Sequence, residues 1–416
     1  MKLRCKHIIY SIICVVIVFL SNFFIPSLSN GFTKGLNTSL NRLWINENAE
    51  EVFHARYSIS EYRRRPFVLE FQNFTNKKLD IPYQFSFNLI NYFSLFLIFL
   101  SLPKLQFSLT KNRNHSLFYK FLFLSSMPIV FAFYSSMSTY DDLLQYLFLI
   151  LFLTNLFNNR HIIAALFFTI ACICRETSLI YYFIIAAFFL IEKFDNKQKK
   201  AFLWILPGIL YVIFITQYLP SELLVESKEF MLHRRFLAWT KNFDSITSFK
   251  ESITIISIMI GVYTYFLINL YKSRTSKRDK KWYLTSIVFI IINLTIVSLT
   301  GLIREARLLF IPILISLPFI ASEIRLSLHK LWQRKLSFKR EMTIFLGAFL
   351  IAFVFFTPNT SGTGYLYKTY AFFYFFVWFE LITQNRLLKT IHRPNDTKTN
   401  ESSQPVTEFS NDSTDN

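Results

Sequence analysis

The 416-residue chain is short of acidic side chains, with 26 Asp and Glu against 45 Lys and Arg, and short of cysteine, with four. Cys5 lies in the basic N-terminal tail, and Cys14, Cys172 and Cys174 fall in apolar runs. A Cys-x-Cys pair inside a helix points its thiols to different sides, so neither a disulfide framework nor a zinc site is expected. No His, Asp or Glu cluster has metal-ligand periodicity. The chain lacks the internal repeat that marks many transporters, and it lacks an arginine-rich arm or nucleic-acid motif. Its net charge of +19 therefore does not read as a nucleic-acid footprint. Glycine is scarce, which is a compositional bias without mechanistic meaning.

What remains is apolar. Hydrophobic residues make up 53% of the chain, and 50 residues are Phe. Several apolar runs of about 15–20 residues predict a polytopic, all-helical membrane protein. The segment that decides the topology runs from His161 to Ile191 and is interrupted only by Arg175-Glu176-Thr177. As one helix at about 1.5 Å per residue it would reach roughly 46 Å, past a hydrocarbon core of about 30 Å. It is either one overlong tilted helix or two short helices meeting at a break. A break puts every short Lys/Arg-rich loop on one face, as membrane orientation requires. Without it, the run Lys272 to Lys281 would face away from Lys2, Arg4 and Lys6. The break is the reading adopted.

Twelve spans then follow, with both termini in the cytoplasm, as in a bacterial inner-membrane protein. The first, Ile8 to Leu28, is read as a retained helix, because the apolar region of a signal peptide is shorter. The others are Phe85–Leu102, Leu117–Met137, Leu143–Phe157, two short helices meeting at Arg175, Ala201–Leu219, Ile253–Tyr271, Trp282–Leu302, Leu308–Ile320, Met342–Phe356 and Tyr365–Ile382. Pro312 and Pro318 are expected to kink the tenth. Residues 1–394 form the membrane domain and 395–416 a disordered cytoplasmic tail. Two polar loops lie outside the membrane, 29–84 and 220–250. The first holds Glu47, then Glu50 and Glu51 on a stretch, Asn48 to Tyr62, expected to form an amphipathic helix with Val52, Ala55 and Ile59 on one face, then Arg63-Arg64-Arg65-Pro66. The second holds His233-Arg234-Arg235.

Three charged clusters abut apolar runs: Asp141-Asp142, Arg175-Glu176 and Arg304-Glu305 with Arg307. All fall at the outer membrane edge. Helix capping by Ser138 or Thr139, with Asp141 and Asp142 in the first turn, explains the first cluster in structural terms. Mutual pairing explains the second. Ionisable groups at membrane depth are costly and face a bundle interior or a cavity, so three clusters on one face point to one shared outward-facing pocket. The arginine fork binds two phosphate oxygens at once, and the triple arginine Arg63-Arg64-Arg65, with Arg64 at its centre, is a further candidate contact or else a solvated basic turn. A neighbouring carboxylate can take a proton from an attacking hydroxyl. The chemistry suggested is transfer from a phosphorylated lipid at the membrane surface.

The layout resembles the GT-C superfamily of membrane glycosyltransferases. The resemblance is carried by the large acidic first outer loop, "TYDDLLQYLFLILFL", "ACICRETSLIYY" and "GLIREARLLFIPIL". It implies an inverting transferase that moves a sugar from a polyprenyl-phosphate carrier to a glycan, lipid or protein acceptor on the outer face. An acidic first-loop residue would be the base or would orient a metal, a role falling here to Glu47, Glu50 or Glu51. That superfamily usually has Asp there, and this loop has Glu. The second acidic position maps onto Asp141 or Asp142. Arg175, Arg304 and Arg307, beside Glu176 and Glu305, would hold the carrier phosphate. No metal site is read from spacing, although a divalent cation (Mg or Mn) between carboxylate and phosphate fits the same chemistry. Nucleic acid is not an expected partner. A polysaccharide polymerase or O-antigen ligase is the alternative enzyme, with His233 in its second loop. A transporter or flippase is the alternative without chemistry.

Overall fold

The computed structural model describes residues 2–24, 46–58, 65–111, 116–130, 132, 141–192, 203–218, 239–273, 276–301, 303, 306–333, 337–355 and 364–391. Among these residues the fold is all-α, with no strand. The helices are α1 (Lys2–Phe24), α2 (Asn46–Ser58), α3 (Pro66–Leu79), α4 (Tyr83–Thr110), α5 (Ser116–Leu124), α6 (Asp142–Phe157), α7 (His161–Cys174), α8 (Tyr182–Ile191) and α9 (Leu206–Tyr218). After them come α10 (Ile246–Ser273, with a π-helical turn at Ser257–Gly261), α11 (Lys277–Thr300), α12 (Ile313–Trp332), α13 (Phe338–Phe349) and α14 (Gly364–Ile391). At the π-turn Gly261 meets α14 closely: a Cβ there would come within 2.7 Å of the Trp378 ring.

Three helices among the described residues, α4, α10 and α11, are long and apolar enough to cross a membrane, which marks the chain as a membrane protein. Five further apolar helices are shorter: Lys6–Ser21, Asp142–Phe157, His161–Cys174, Glu176–Ile191 and Leu206–Gln217. Ile8, Ile9, Ile12, Ile13, Val16, Ile17 and Leu20 are exposed along α1. A stripe of that kind is stable against lipid and costly against water.

The break at Arg175 is present. The α7 helix ends at Cys174, Arg175 is extended (φ −162°, ψ 126°), and a 3₁₀ turn over Glu176–Tyr181 leads into α8. The chain reverses there. Phe168 packs edge-on against Tyr182 at 5.1 Å, and His161 stacks with Phe189 at 6.4 Å. Both contacts pair residues equidistant from Arg175, the pattern of a helical hairpin with that arginine at its apex. The apex is locked by polar side chains. Gln145 on α6 donates to the hydroxyls of Thr177 and Ser178, both at 2.9 Å, and Ser178 donates to the Ala171 carbonyl at 2.8 Å.

Several expectations need correction. The second span does not stop at Leu102: α4 continues through Pro103 to Thr110, so Lys104 is helical. The third is not one helix, because α5 ends at Leu124 and a single turn over Met127–Val130 follows. Pro128 explains the turn, since it has no N–H to donate and restricts the residue before it. In the tenth, Pro312 does not kink the helix but precedes it as the N-cap of α12, and only Pro318 lies inside. That span accordingly begins at Ile313, after a 3₁₀ turn over Ala306–Leu309, and α12 runs on to Trp332.

At one end of the bundle the charged side chains belong to basic connections. Glu192, just past α8, accepts from Arg278 Nε (2.9 and 3.1 Å) and from the indole of Trp282 (2.9 Å). Arg340 faces Glu380 at 3.5 Å. Lys120 on α5 is buried and donates to the His7 carbonyl and the Ser11 hydroxyl on α1, each at 2.8 Å, which pins the first helix to the rest. The other end carries a denser cluster.

Candidate functional site

At that other end, the start of α6, the apex of the α7–α8 hairpin and the turn before α12 converge, and the first polar loop lies over them. The α2 helix buries Ala49, Val52, Phe53 and Arg56, a spacing of three, one and three residues that defines one helical face. Phe53 stacks on Tyr83 at 4.5 Å, seating the helix on the start of α4. The fourth member of that face is a cation, and it needs a partner. Arg56 donates to Asp141 at 2.8 Å, with both side chains at least 97% buried.

Arg65 immediately precedes Pro66, the first residue of α3. Proline keeps the residue before it out of the helical region, and Arg65 (φ −114°, ψ 75°) accordingly projects from the end of α3. Its guanidinium reaches Glu176 through two bonds, Nε at 3.2 Å and Nη2 at 2.8 Å, the paired geometry that suits a carboxylate best. Burial alone would raise the Glu176 carboxyl. The charge and hydrogen bonds of Arg65, helped by Arg175, outweigh it and hold its pKa at about 2 against an ordinary 4.5.

Asp142 is the hub. It pairs with Arg175 through one carboxylate oxygen and with Arg307 through the other at 3.2 Å. Arg175 and Asp142 are both nearly inaccessible. Among the described residues, the buried Nε of Arg175 has no hydrogen-bond partner. The first-turn placement expected of Asp141 and Asp142 holds for Asp142. Asp141 occupies the N-cap position of α6 without making a side-chain cap bond, and its carboxylate is turned to Arg56 instead. Ser138 and Thr139 lie outside the described residues. Mutual pairing of Arg175 with Glu176 is likewise not the arrangement. Each is matched across the cluster, Arg175 to Asp142 and Glu176 to Arg65.

Seven described charged side chains from five segments thus meet: Arg56, Arg65, Asp141, Asp142, Arg175, Glu176 and Arg307. Glu50 and Glu51 sit on α2 but make no ion pair with this cluster. Glu50 is half-exposed and faces His54 at 3.7 Å, and Glu51 is exposed. Glu47 is on α2, its side chain outside the description, and Arg64, His233, Arg304 and Glu305 fall outside the described residues. Arg56 carries no signal in an apolar pattern, whereas Arg65 belongs to the triple arginine expected as a phosphate contact and is turned onto Glu176. The Arg-Pro junction was the available signal for Arg65. Among the described residues no group of three His, Cys, Asp or Glu could hold a metal ion.

No protein-family model, curated protein or solved structure matches the chain.

Proposed function

We propose that this protein is an integral membrane glycosyltransferase of GT-C type, with twelve spans and both termini in the cytosol. It takes a sugar from a polyprenyl-phosphate carrier and gives it to an acceptor on the extracytoplasmic face. The observation that carries the proposal is the double ion pairing of Asp142 by Arg175 and Arg307 beneath a lid contributed by the first polar loop through Arg56 and Arg65. Guanidinium groups held in place by buried carboxylates form a preorganised anion site, because their orientation is already fixed when the phosphate arrives. Membrane orientation supports placing this end outside, since the basic connections, such as the one before α11, gather at the opposite end.

In this reading an acceptor hydroxyl attacks the anomeric carbon, the carbon–oxygen bond to phosphate breaks, and the polyprenyl phosphate leaves on the arginines. The hydroxyl proton passes to a carboxylate. Asp141 and Asp142 are already committed to guanidinium groups. Glu50, paired only loosely with an exposed histidine, suits the base role better. The polymerase or ligase alternative would have the second outer loop cover the site. Among the described residues Arg56 and Arg65 of the first loop cover the site, which favours the transferase, while residues 220–238 of the second lie outside the description.

The test is consumption of polyprenyl-phosphate sugars by purified protein, with the sugar varied. Wild type should release polyprenyl phosphate with at least one sugar. Arg307→Ala and Glu50→Gln should each abolish release while still inserting into membranes. Near-normal turnover in both variants would remove the site assignment, and no turnover with any donor would remove the transferase reading.

A further inference from the structure

The turn that presents Arg307 is braced by side chains of other elements. Outside the 3₁₀ turn Ala306–Leu309, its backbone bonds among the described residues include Gly301 N–H to Val297 (2.8 Å), Phe310 N–H to Arg307 (3.2 Å) and Ile313 N–H to Phe310 (2.9 Å). Buried backbone groups must find partners somewhere, and here side chains from other elements supply them. Tyr146 on α6 donates to the Arg307 carbonyl at 3.2 Å, and Asn293 on α11 to that of Leu308 at 3.0 Å. Tyr181 at the hairpin apex donates to Ile311 at 2.7 Å. The most heavily used of these side chains is Asn242, in the short helical segment 239–243 before α10. Its amide nitrogen donates to the carbonyls of Ser298 (3.2 Å) and Gly301 (2.9 Å), and its amide oxygen accepts from the N–H of Ile303 (2.9 Å). Its own carbonyl is fixed by the Ser252 hydroxyl at 3.0 Å, and the residue is 1% exposed.

We propose that Asn242 is a positioning residue for Arg307. By closing the end of α11 and holding the first residues of the turn, it sets where the Arg307 guanidinium meets Asp142. The hydrogen bonds of Asn242 go to backbone groups and to Ser252, not to the charged side chains. Its effect passes through the backbone from Ile303 to Arg307. The chemistry demands an amide, because one side chain must donate twice and accept once. Aspartate keeps the acceptor but turns the two donated bonds into repulsion against carbonyl oxygens, and alanine loses all three.

The consequence for transfer rests on the reading proposed above, but the placement can be measured without it. Full-length protein in lipid nanodiscs is treated with phenylglyoxal, an arginine-selective reagent, and modification is mapped by peptide mass. Asn242→Ala should raise the labelling rate of Arg307 several-fold while Arg175 and Arg65 keep their wild-type rates. Asn242→Asp should behave the same way, and it decides the matter if the alanine variant does not fold. In the transfer assay the donor KM should rise with the acceptor KM unchanged. An unchanged rate at Arg307 would overturn the proposal, and so would an equal rise at all three arginines, which would mean general loosening. If the labelling behaves as expected but wild type transfers no sugar, the placement stands and the transferase reading falls.

Discussion

Asp142 answers two guanidinium groups at once, Arg175 and Arg307, in a place almost closed to solvent. Removing one member of a buried pair leaves the others uncompensated, at a cost of about 3–5 kcal/mol. Asp142→Asn is therefore expected to destabilise the detergent-solubilised protein by about that amount, read as a lower midpoint in thermal unfolding. An unchanged midpoint would mean that the guanidinium groups find other partners. Glu176 gives a pH signature. Its carboxyl is depressed to about 2 from 4.5, so the stability it contributes is present above pH 4.5 and is lost as pH falls towards 2. Glu176→Gln should unfold at a lower temperature than wild type at pH 6, and the gap should narrow below pH 4.5 and close as the pH approaches 2. A constant gap would show that the carboxylate's charge is not what stabilises. Much at this scale was not legible in the sequence. The partner of Asp141 is 85 residues away, and no local rule distinguishes a capping aspartate from one reserved for a distant arginine. Tyr146 and Tyr181 read as members of apolar runs, and only the fold reveals which carbonyls their hydroxyls serve.

At the scale of elements, the hairpin at Arg175 and the short helix α2 do most of the arranging. The break was legible because it follows from length: thirty-one apolar residues exceed a bilayer, and two charged residues mark where the chain turns. The α2 stretch was legible as a helix, but of the face expected for it, Val52, Ala55 and Ile59, only the Val52 side chain is described, and it is buried with Ala49, Phe53 and Arg56, the last of which a purely apolar pattern leaves out. That arginine makes α2 a lid tied to the cluster as well as a surface helix. Arg56→Ala should loosen it. Val52, 2% exposed beneath α2, should as Val52→Cys resist a membrane-impermeant maleimide in the wild-type background and react readily once Arg56 is alanine. Equal protection in both backgrounds would show that Phe53 on Tyr83 holds the lid without the ion pair. The turns at Met127 and Pro312 were harder to foresee. Proline marks both, but whether a proline kinks a helix, ends it or begins it depends on which backbone donors are already committed.

The whole molecule has two unlike ends. One carries seven interlocked charges roofed by the first polar loop, and the other carries basic connections held by Glu192, Arg278 and Trp282. The all-helical class and the membrane character were legible from composition and run length alone. The convergence of Asp141-Asp142, Arg175-Glu176 and Arg307 was legible only as an argument from cost, and the contacts that satisfy them required the fold, with Arg304 and Glu305 outside the described residues. The claim on which the account depends is that the charged end faces away from the cytosol. It is tested most directly by two single cysteines placed in a background with Cys5 replaced by serine, the remaining Cys14, Cys172 and Cys174 being buried. One is Glu51→Cys on the exposed face of α2, and the other is Lys277→Cys at the opposite end, on the first turn of α11. With an impermeant maleimide, the account predicts that Glu51→Cys labels only from outside and Lys277→Cys only from the cytosolic side. Labelling of Glu51→Cys only from the cytosol, or of both positions from the same side, would contradict it.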